Sequence, residues 1–280
     1  KSLGDILIVS VTEDKFVHAE GETGLVMIVF SLPSYNLVFK VIRDSFGPPK
    51  TISRKDVIDK YKLVSKHDRA GRLIDTQEFI NLKFPIDRFS DELTNELIQN
   101  ASDSIRKEDN NLILKRVYVE RRVRPLNLFI DECSFEDATR SIIDYGEAIK
   151  DLAKTNIFPG DLLLKNFGVT QHNRVIFYDY DEVSLVSDCN FRKIPQANSI
   201  EDEMQADAWY FVGENDIFPE EFIKFLAMSD ELKNEFMKYH KDLLTAKYWQ
   251  RIKNQHLKGE ALLVIPYTSH LSQKKVSRKL

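Results

Sequence analysis

An α+β architecture in two lobes, a small β-rich one followed by a larger, mainly helical one, is predicted by three observations. Short runs rich in apolar, β-branched and aromatic residues, bounded by glycine or polar turns, recur at residues 26–30, 37–42 and from 112 onward. Beyond Pro125 the pattern changes to helical spacing, with Ile142, Ile143, Ala148, Ile149 and Leu152 following an N-capping Ser134. A chain of 280 residues with 42% hydrophobic content can bury a core for both parts. The expected division is a first lobe at residues 1–119, a linker at 120–127 and a second lobe at 128–280.

Each element follows from its residues. HAEGETGL at residues 18–25, followed by VMIVF, reads as strand, glycine turn, strand. Gly21 and Gly24 accept positive φ at little cost, so Ala19, Glu20, Gly21, Glu22, Thr23, Gly24 and Leu25 form either a plain hairpin or a loop whose N–H groups approach phosphate. Lys40 lies inside LVFKVI, residues 37–42, where it either faces outward from an edge strand or is kept among apolar neighbours for a partner. Residues 112–127 run from a strand into a charged stretch stopped by Pro125, whose charges solvate a linker. Glu136 and Asp137 place acidic groups in the first turn of the long helix after Ser134, which suits its dipole. Leu232, Phe236, Tyr239 and Leu243 repeat at helical spacing, as in a helix packed on the second lobe. The tail at residues 272–280 reads as solvated and poorly ordered.

The stretch NIFPGDLLLKNFGVTQHNRVIFYDYDE, residues 156–182, carries the chemistry. Asn166 follows Asp161 by five positions and Asp179 follows Asn166 by thirteen. Protein kinases place an aspartate that accepts the substrate hydroxyl proton, then an asparagine and a second aspartate that hold Mg²⁺, in the same order. Hard oxygen ligands on a divalent ion neutralise a nucleotide's phosphates before a hydroxyl attacks. Residues 167–170 and 174–178 read as short strands of a hairpin joining the two metal positions, with Gly168 and QHN as turn chemistry. Lys165 can bring an ammonium to the γ-phosphate, although typical kinases carry it where this chain has Leu163. Loop aspartates and asparagines also cap turns without binding anything, so the spacing needs support from elsewhere in the chain. Lys40 supplies it, since a strand lysine grips the α- and β-phosphates of a kinase nucleotide. Glu78, in a stretch read as helical before the linker, is the leading candidate to pair with Lys40.

With these residues in view, the chain resembles the bacterial isocitrate dehydrogenase kinase/phosphatase family. The resemblance rests on GLVMIVFSLPSYNLVFKVIRDSFGPPK, KHDRAGRLIDTQEF, VYVERRVRPLNLFI, NIFPGDLLLKNFGVTQHNRVIFYDYDEV, NFRKIP and DIFPEEF, over most of residues 19 to 225. It implies a bilobal protein-kinase-like fold, with Lys40 as the ATP-binding lysine and residues 19–25 as the nucleotide loop. It implies Asp161 as catalytic aspartate, Asn166 and Asp179 as metal positions, Asp181 as the second acid of D-Y-D-E and Asp75 as an active-site residue. ATP or ADP with Mg²⁺ or Mn²⁺ are the implied cofactors, and isocitrate dehydrogenase is the implied partner. The family normally carries a regulatory domain before its kinase domain; this chain begins almost at the latter and is expected to be a fragment or short form.

Two departures from ordinary kinases have mechanistic content. H-R-D becomes Pro159-Gly160-Asp161, so no arginine waits there for an activation-loop phosphate, and D-F-G becomes Asp179-Tyr180-Asp181. One of the extra carboxylates Asp181, Glu182 and Asp75 is expected to orient a water for dephosphorylation. Two other classes remain open on residues alone: a small-molecule kinase of the aminoglycoside or choline type, and a pseudokinase binding module. A net charge of −4 makes no case for nucleic acid, and no apolar run reaches membrane-spanning length. Cys133 and Cys189, the two cysteines, lack paired spacing, as expected in a reducing cytoplasm. His67 has no second histidine or cysteine at ligand spacing, and no feature specifies an oligomeric state.

Overall fold

The computed structural model describes residues 14–21, 24–48, 52–67, 70–195 and 210–264. Glu22, Thr23 and the tail at 272–280 lie outside the described residues. The fold is α+β, with an antiparallel sheet and seven helices among the described residues. It divides into two compact units: residues 1–65 with 74–125, and residues 66–73 with 126–280. Residues 66–73 thus group with the second unit although first-unit segments flank them in sequence.

In the first unit the strands are β1 (Val17–His18), β2 (Met27–Ser31), β3 (Leu37–Ile42), β4 (Thr76–Pro85), β5 (Ile105–Glu108), β6 (Asn111–Arg121) and β7 (Arg124–Pro125). The sheet order is β1-β2-β3-β6-β4, with β5 also on β6. Strand periodicity explains its two faces. Phe30 and Phe39 are register partners, as are Phe39 and Val119, so one face gathers Ile28, Phe30, Phe39, Val41, Val117 and Val119 into the core. The Phe30 and Phe39 rings stack at 5.4 Å, and Phe16 meets Phe39 edge-on at 5.1 Å. Helix α2 (Asp91–Asn100) closes this face with Leu93 and Leu97; Ser90 caps it by accepting from Leu93 N.

The opposite face carries Lys40, Tyr118 and Glu120 and is covered by helix α1 (Arg54–His67). Lys40 pairs in register with Tyr118, and Tyr61 of α1 stacks on Tyr118 at 4.0 Å. The Tyr61 hydroxyl reaches Met27 Sδ at 3.4 Å. Glu78, expected in a helix, lies instead in β4, which pairs with β6 along its length; cross-strand pairing overrides the local propensity.

The second unit is built on α4 (Phe135–Lys154), capped by Ser134, which accepts from Asp137 N as the sequence predicts. Short α3 (Leu126–Glu132) and α5 (Phe222–Phe225) accompany it, with α6 (Asp230–His240) and α7 (Ala246–Leu257). Leu232 and Phe236 of α6 are buried, Leu243 is buried in a 3₁₀ turn just after it, and Tyr239 points to solvent at 51% exposure. Trp249 of α7 is fully buried, stacked on Phe191 at 5.1 Å and edge-on to Phe158 at 5.3 Å.

Gly146 of α4 faces the fully buried His240, whose Nε2 hydrogen-bonds the Ile143 carbonyl at 2.9 Å. A Cβ on Gly146 would stand 2.1 Å from His240 Cδ2. Alanine normally improves a helix interior by about 1 kcal/mol over glycine. Here overpacking reverses the sign, and Gly146→Ala is expected to destabilise by roughly 1–3 kcal/mol in urea unfolding. A rise in the unfolding midpoint would contradict the packing.

Candidate functional site

The second unit holds the loop from β8 (Ile157–Phe158) to the hairpin of β9 (Phe167–Val169) and β10 (Val175–Phe177). Gly160 bends the chain with φ +92°, and a Cβ there would also meet Glu182 Cβ at 2.7 Å, so both conformation and space require glycine. Leu162 and Leu164 are buried and anchor the loop, while Asp161 between Gly160 and Leu162 stays partly exposed. From α4 the Tyr145 hydroxyl donates to the Leu162 carbonyl at 2.5 Å. Burial, reinforced by the Asp161 charge, pushes the Tyr145 hydroxyl above its ordinary range, so it remains a proton donor.

Asn166 Nδ2 donates to Asp161 Oδ1 at 2.5 Å, joining the two residues that the spacing singled out. This orientation turns Asn166 Oδ1, a hard oxygen, away from Asp161. The hairpin continues one rung past Phe167 and Phe177, where Tyr178 N donates to the Asn166 carbonyl at 3.1 Å. Asp179 therefore emerges directly beyond the residue bonded to Asn166. The Tyr178 hydroxyl donates to the Lys165 carbonyl, which fixes the backbone there while the Lys165 side chain is exposed. Tyr180 is fully buried against Phe177, leaving Asp179, Asp181 and Glu182 partly exposed around it. Among the described residues no group of three His, Cys, Asp or Glu side chains forms a ready metal cluster. A Mg²⁺ site that borrows phosphate oxygens needs only one or two protein ligands.

The first unit holds Lys40. It is 7% exposed on an internal strand, so the edge-strand alternative fails, and its ammonium pairs with Glu120 at 2.7 Å. Glu120 is the partner in place of Glu78, whose carboxylate pairs with Arg116 at 2.8 Å. Strand order is the reason: Glu120 and Glu78 both lie on the face that Lys40 shares, but Glu120 is on β6, next to β3, and Glu78 is one strand further away on β4. Alternation along β6 is the signal in the sequence that marks Glu120 as a candidate, because Val117 and Val119 belong to one face and Tyr118 and Glu120 to the other. Thr76 Oγ1 donates to Glu120 at 2.9 Å, and Asp75, next to Thr76, is exposed.

The described part of the glycine loop is tied down at both ends. Ala19 N donates to the Val29 carbonyl at 3.1 Å, and Arg124 pairs with Glu20 at 2.6 Å. Arg43 Nε donates to the Gly24 carbonyl at 3.1 Å while its Nη2 meets Glu96 at 2.5 Å. Glu96 also meets His18 Nε2 at 2.5 Å. Burial raises the Glu96 pKa, but hydrogen bonds from His18 and Arg43 outweigh it and hold the carboxyl below its usual value. Gly21 has φ +119° and Leu25 is exposed. The Ala19–Val29 bond belongs to the strand, glycine turn, strand pattern read from the sequence, whereas the ion pairs of Glu20 with Arg124 and of Glu96 with Arg43 and His18 join residues far apart in sequence.

The NFRKIP and DIFPEEF blocks bind each other. Asn190–Phe191 pairs with Asp216–Ile217 as parallel β11 and β12, and Asp216 accepts from Asn190 Nδ2 at 2.5 Å, Gly213 N at 2.9 Å and Arg192.

A buried strand lysine, and a loop aspartate bonded to an asparagine with a hairpin-borne aspartate beyond it, are residue sets with which protein kinases handle nucleotide and metal. Residues 14–269 match the family model described as the isocitrate dehydrogenase kinase/phosphatase (AceK) kinase domain. Curated relatives named isocitrate dehydrogenase kinase/phosphatase include one from Anaeromyxobacter sp. (strain Fw109-5), 51% identical over 91% of this chain and 44% of its own length. Those from Burkholderia vietnamiensis and Paraburkholderia xenovorans are 44% and 46% identical, over 93% and 91% of this chain and 43% and 42% of their own lengths. The chain belongs to this kinase-domain family and spans less than half the length of the relatives it matches.

Proposed function

We propose that this chain transfers the γ-phosphoryl group of Mg·ATP to a serine of isocitrate dehydrogenase, and removes that phosphate at the same nucleotide-dependent site. Such a reaction controls flux between the tricarboxylic acid cycle and the glyoxylate bypass. The hydrogen-bonded pair Asp161–Asn166, with Asp179 one step along the hairpin, is the observation that best supports it. Asp161 orients the serine hydroxyl and takes its proton; Asn166 Oδ1 and Asp179 hold Mg²⁺, or Mn²⁺ in its place; Lys40 grips the α- and β-phosphates. Residues 19–25 are assigned as the nucleotide loop and Lys165 to the γ-phosphate. Asp181 and Asp75 are the carboxylates assigned to the reverse reaction, where one of them orients the attacking water. The bilobal kinase arrangement, with a first lobe ending near residue 119 and a linker to 127, belongs to the same proposal, as does a cytoplasmic location.

The test is direct. Incubated with Mg·ATP and isocitrate dehydrogenase, the chain is expected to form phosphoserine, and with phosphorylated dehydrogenase and ADP or ATP to release phosphate. Asp75→Ala is expected to lower phosphate release while sparing phosphorylation. Equal release from parent and variant would remove Asp75 from the mechanism, and failure of the parent to bind Mg·ATP would overturn the kinase reading itself.

A further inference from the structure

We propose that Glu120 is the positioning residue for Lys40, setting the phosphate-gripping ammonium from within the sheet. This rests on the reading of Lys40 as the nucleotide lysine. In protein kinases the lysine's glutamate comes from the helix that follows its strand, and displacement of that helix disassembles the site. Here the helix following β3 is α1, and its two carboxylates are engaged elsewhere. Asp56 accepts from Ser53 N at 2.8 Å and Ser53 Oγ at 2.7 Å at the start of the helix. Asp59 is 54% exposed beside Lys62. What α1 sends to the lysine-bearing face of the sheet is Tyr61, stacked on Tyr118, the register partner of Lys40.

The carboxylate comes from β6 instead. Glu120 and Lys40 are both nearly fully buried, so their attraction is poorly screened, and each would be costly to leave unpaired. Thr76 Oγ1 holds the second side of the Glu120 carboxylate from β4. β3 and β4 each pair with β6, so all three contributors ride on one hydrogen-bonded sheet. The pair is therefore preset, and movement of α1 does not switch it.

Binding of Mg·ATP and of adenosine to the 280-residue chain, measured by calorimetry, tests this. Glu120→Gln is expected to weaken Mg·ATP binding about tenfold or more while leaving adenosine binding unchanged, because only phosphate contacts pass through Lys40. Lys40→Met is expected to weaken Mg·ATP binding likewise, and Glu120→Gln added to Lys40→Met to cause no further loss. Thr76→Val, which keeps both charges, is expected to show the same phosphate-specific loss at smaller size and serves if Glu120→Gln does not fold. If Lys40→Met weakens Mg·ATP binding but Glu120→Gln, or Thr76→Val in its stead, does not, the role of Glu120 is refuted and the kinase reading stands. A parent chain that does not bind Mg·ATP refutes both. Equal weakening of adenosine and Mg·ATP by Glu120→Gln would reduce Glu120 to a structural residue.

Discussion

Asp161→Ala is expected to lower the phosphorylation rate by about 10²–10⁴-fold, the range that a positioned general base contributes. Mg·ATP affinity is expected to change little, because the proposal assigns Asp161 to the acceptor hydroxyl and the metal to Asn166 and Asp179. The substitution also removes the acceptor of Asn166 Nδ2. Asp161→Asn, which keeps the size and one amide oxygen for that bond, separates proton acceptance from positioning: turnover should fall as far as in Asp161→Ala. Single-turnover phosphorylation together with nucleotide titration reads both quantities. A rate unchanged in either variant would sink the assignment of Asp161.

The largest expected loss of stability is at Arg72. Its guanidinium is buried and meets Asp151 at 2.9 Å, both oxygens of Asp144 at 2.8 and 2.9 Å, and the Val175 carbonyl at 3.0 Å. Desolvation disfavours the charge, but the two aspartates outweigh it and raise the arginine pKa. Asp144 in turn accepts Val175 N at 2.7 Å, and Phe177 N donates to the Arg72 carbonyl at 2.7 Å. The network thus joins residues 70–73 and α4 to β10, the strand that delivers Asp179. Arg72→Met leaves Asp151 buried and short of a partner and is expected to cost roughly 3–5 kcal/mol of unfolding free energy. Urea unfolding measures it, and a loss below about 1 kcal/mol would mean that neighbouring lysines or water replace the guanidinium. Lys154, 3.3 Å from Asp151, is the nearest such group.

Legibility varied with the range of the interaction. The α4 helix with its Ser134 cap, the strand around Lys40 and the β9–β10 hairpin were all readable, since caps, turns and apolar alternation act within a few residues. The hydrogen bond between Asp161 and Asn166 spans five residues and belongs to the same class. Two helices, α1 and α2, are not among the expected elements, although serines at residues 53 and 90 with acidic residues soon after form a recognisable N-terminal pattern. Glu78 was misplaced because β4 gains its stability from β6 rather than from its own propensity.

Order along the chain thus specifies the spacing of Asp161, Asn166 and Asp179 and the family, because that loop is assembled from near neighbours. Folding assigns the rest. Glu120 reaches Lys40 across 80 residues, Arg72 reaches Asp151 across 79, and Glu96 gathers His18 and Arg43 to hold the glycine loop. In each case a charge leaves water only where another segment brings its partner, and no local pattern names a partner that the sheet register or helix packing has yet to select.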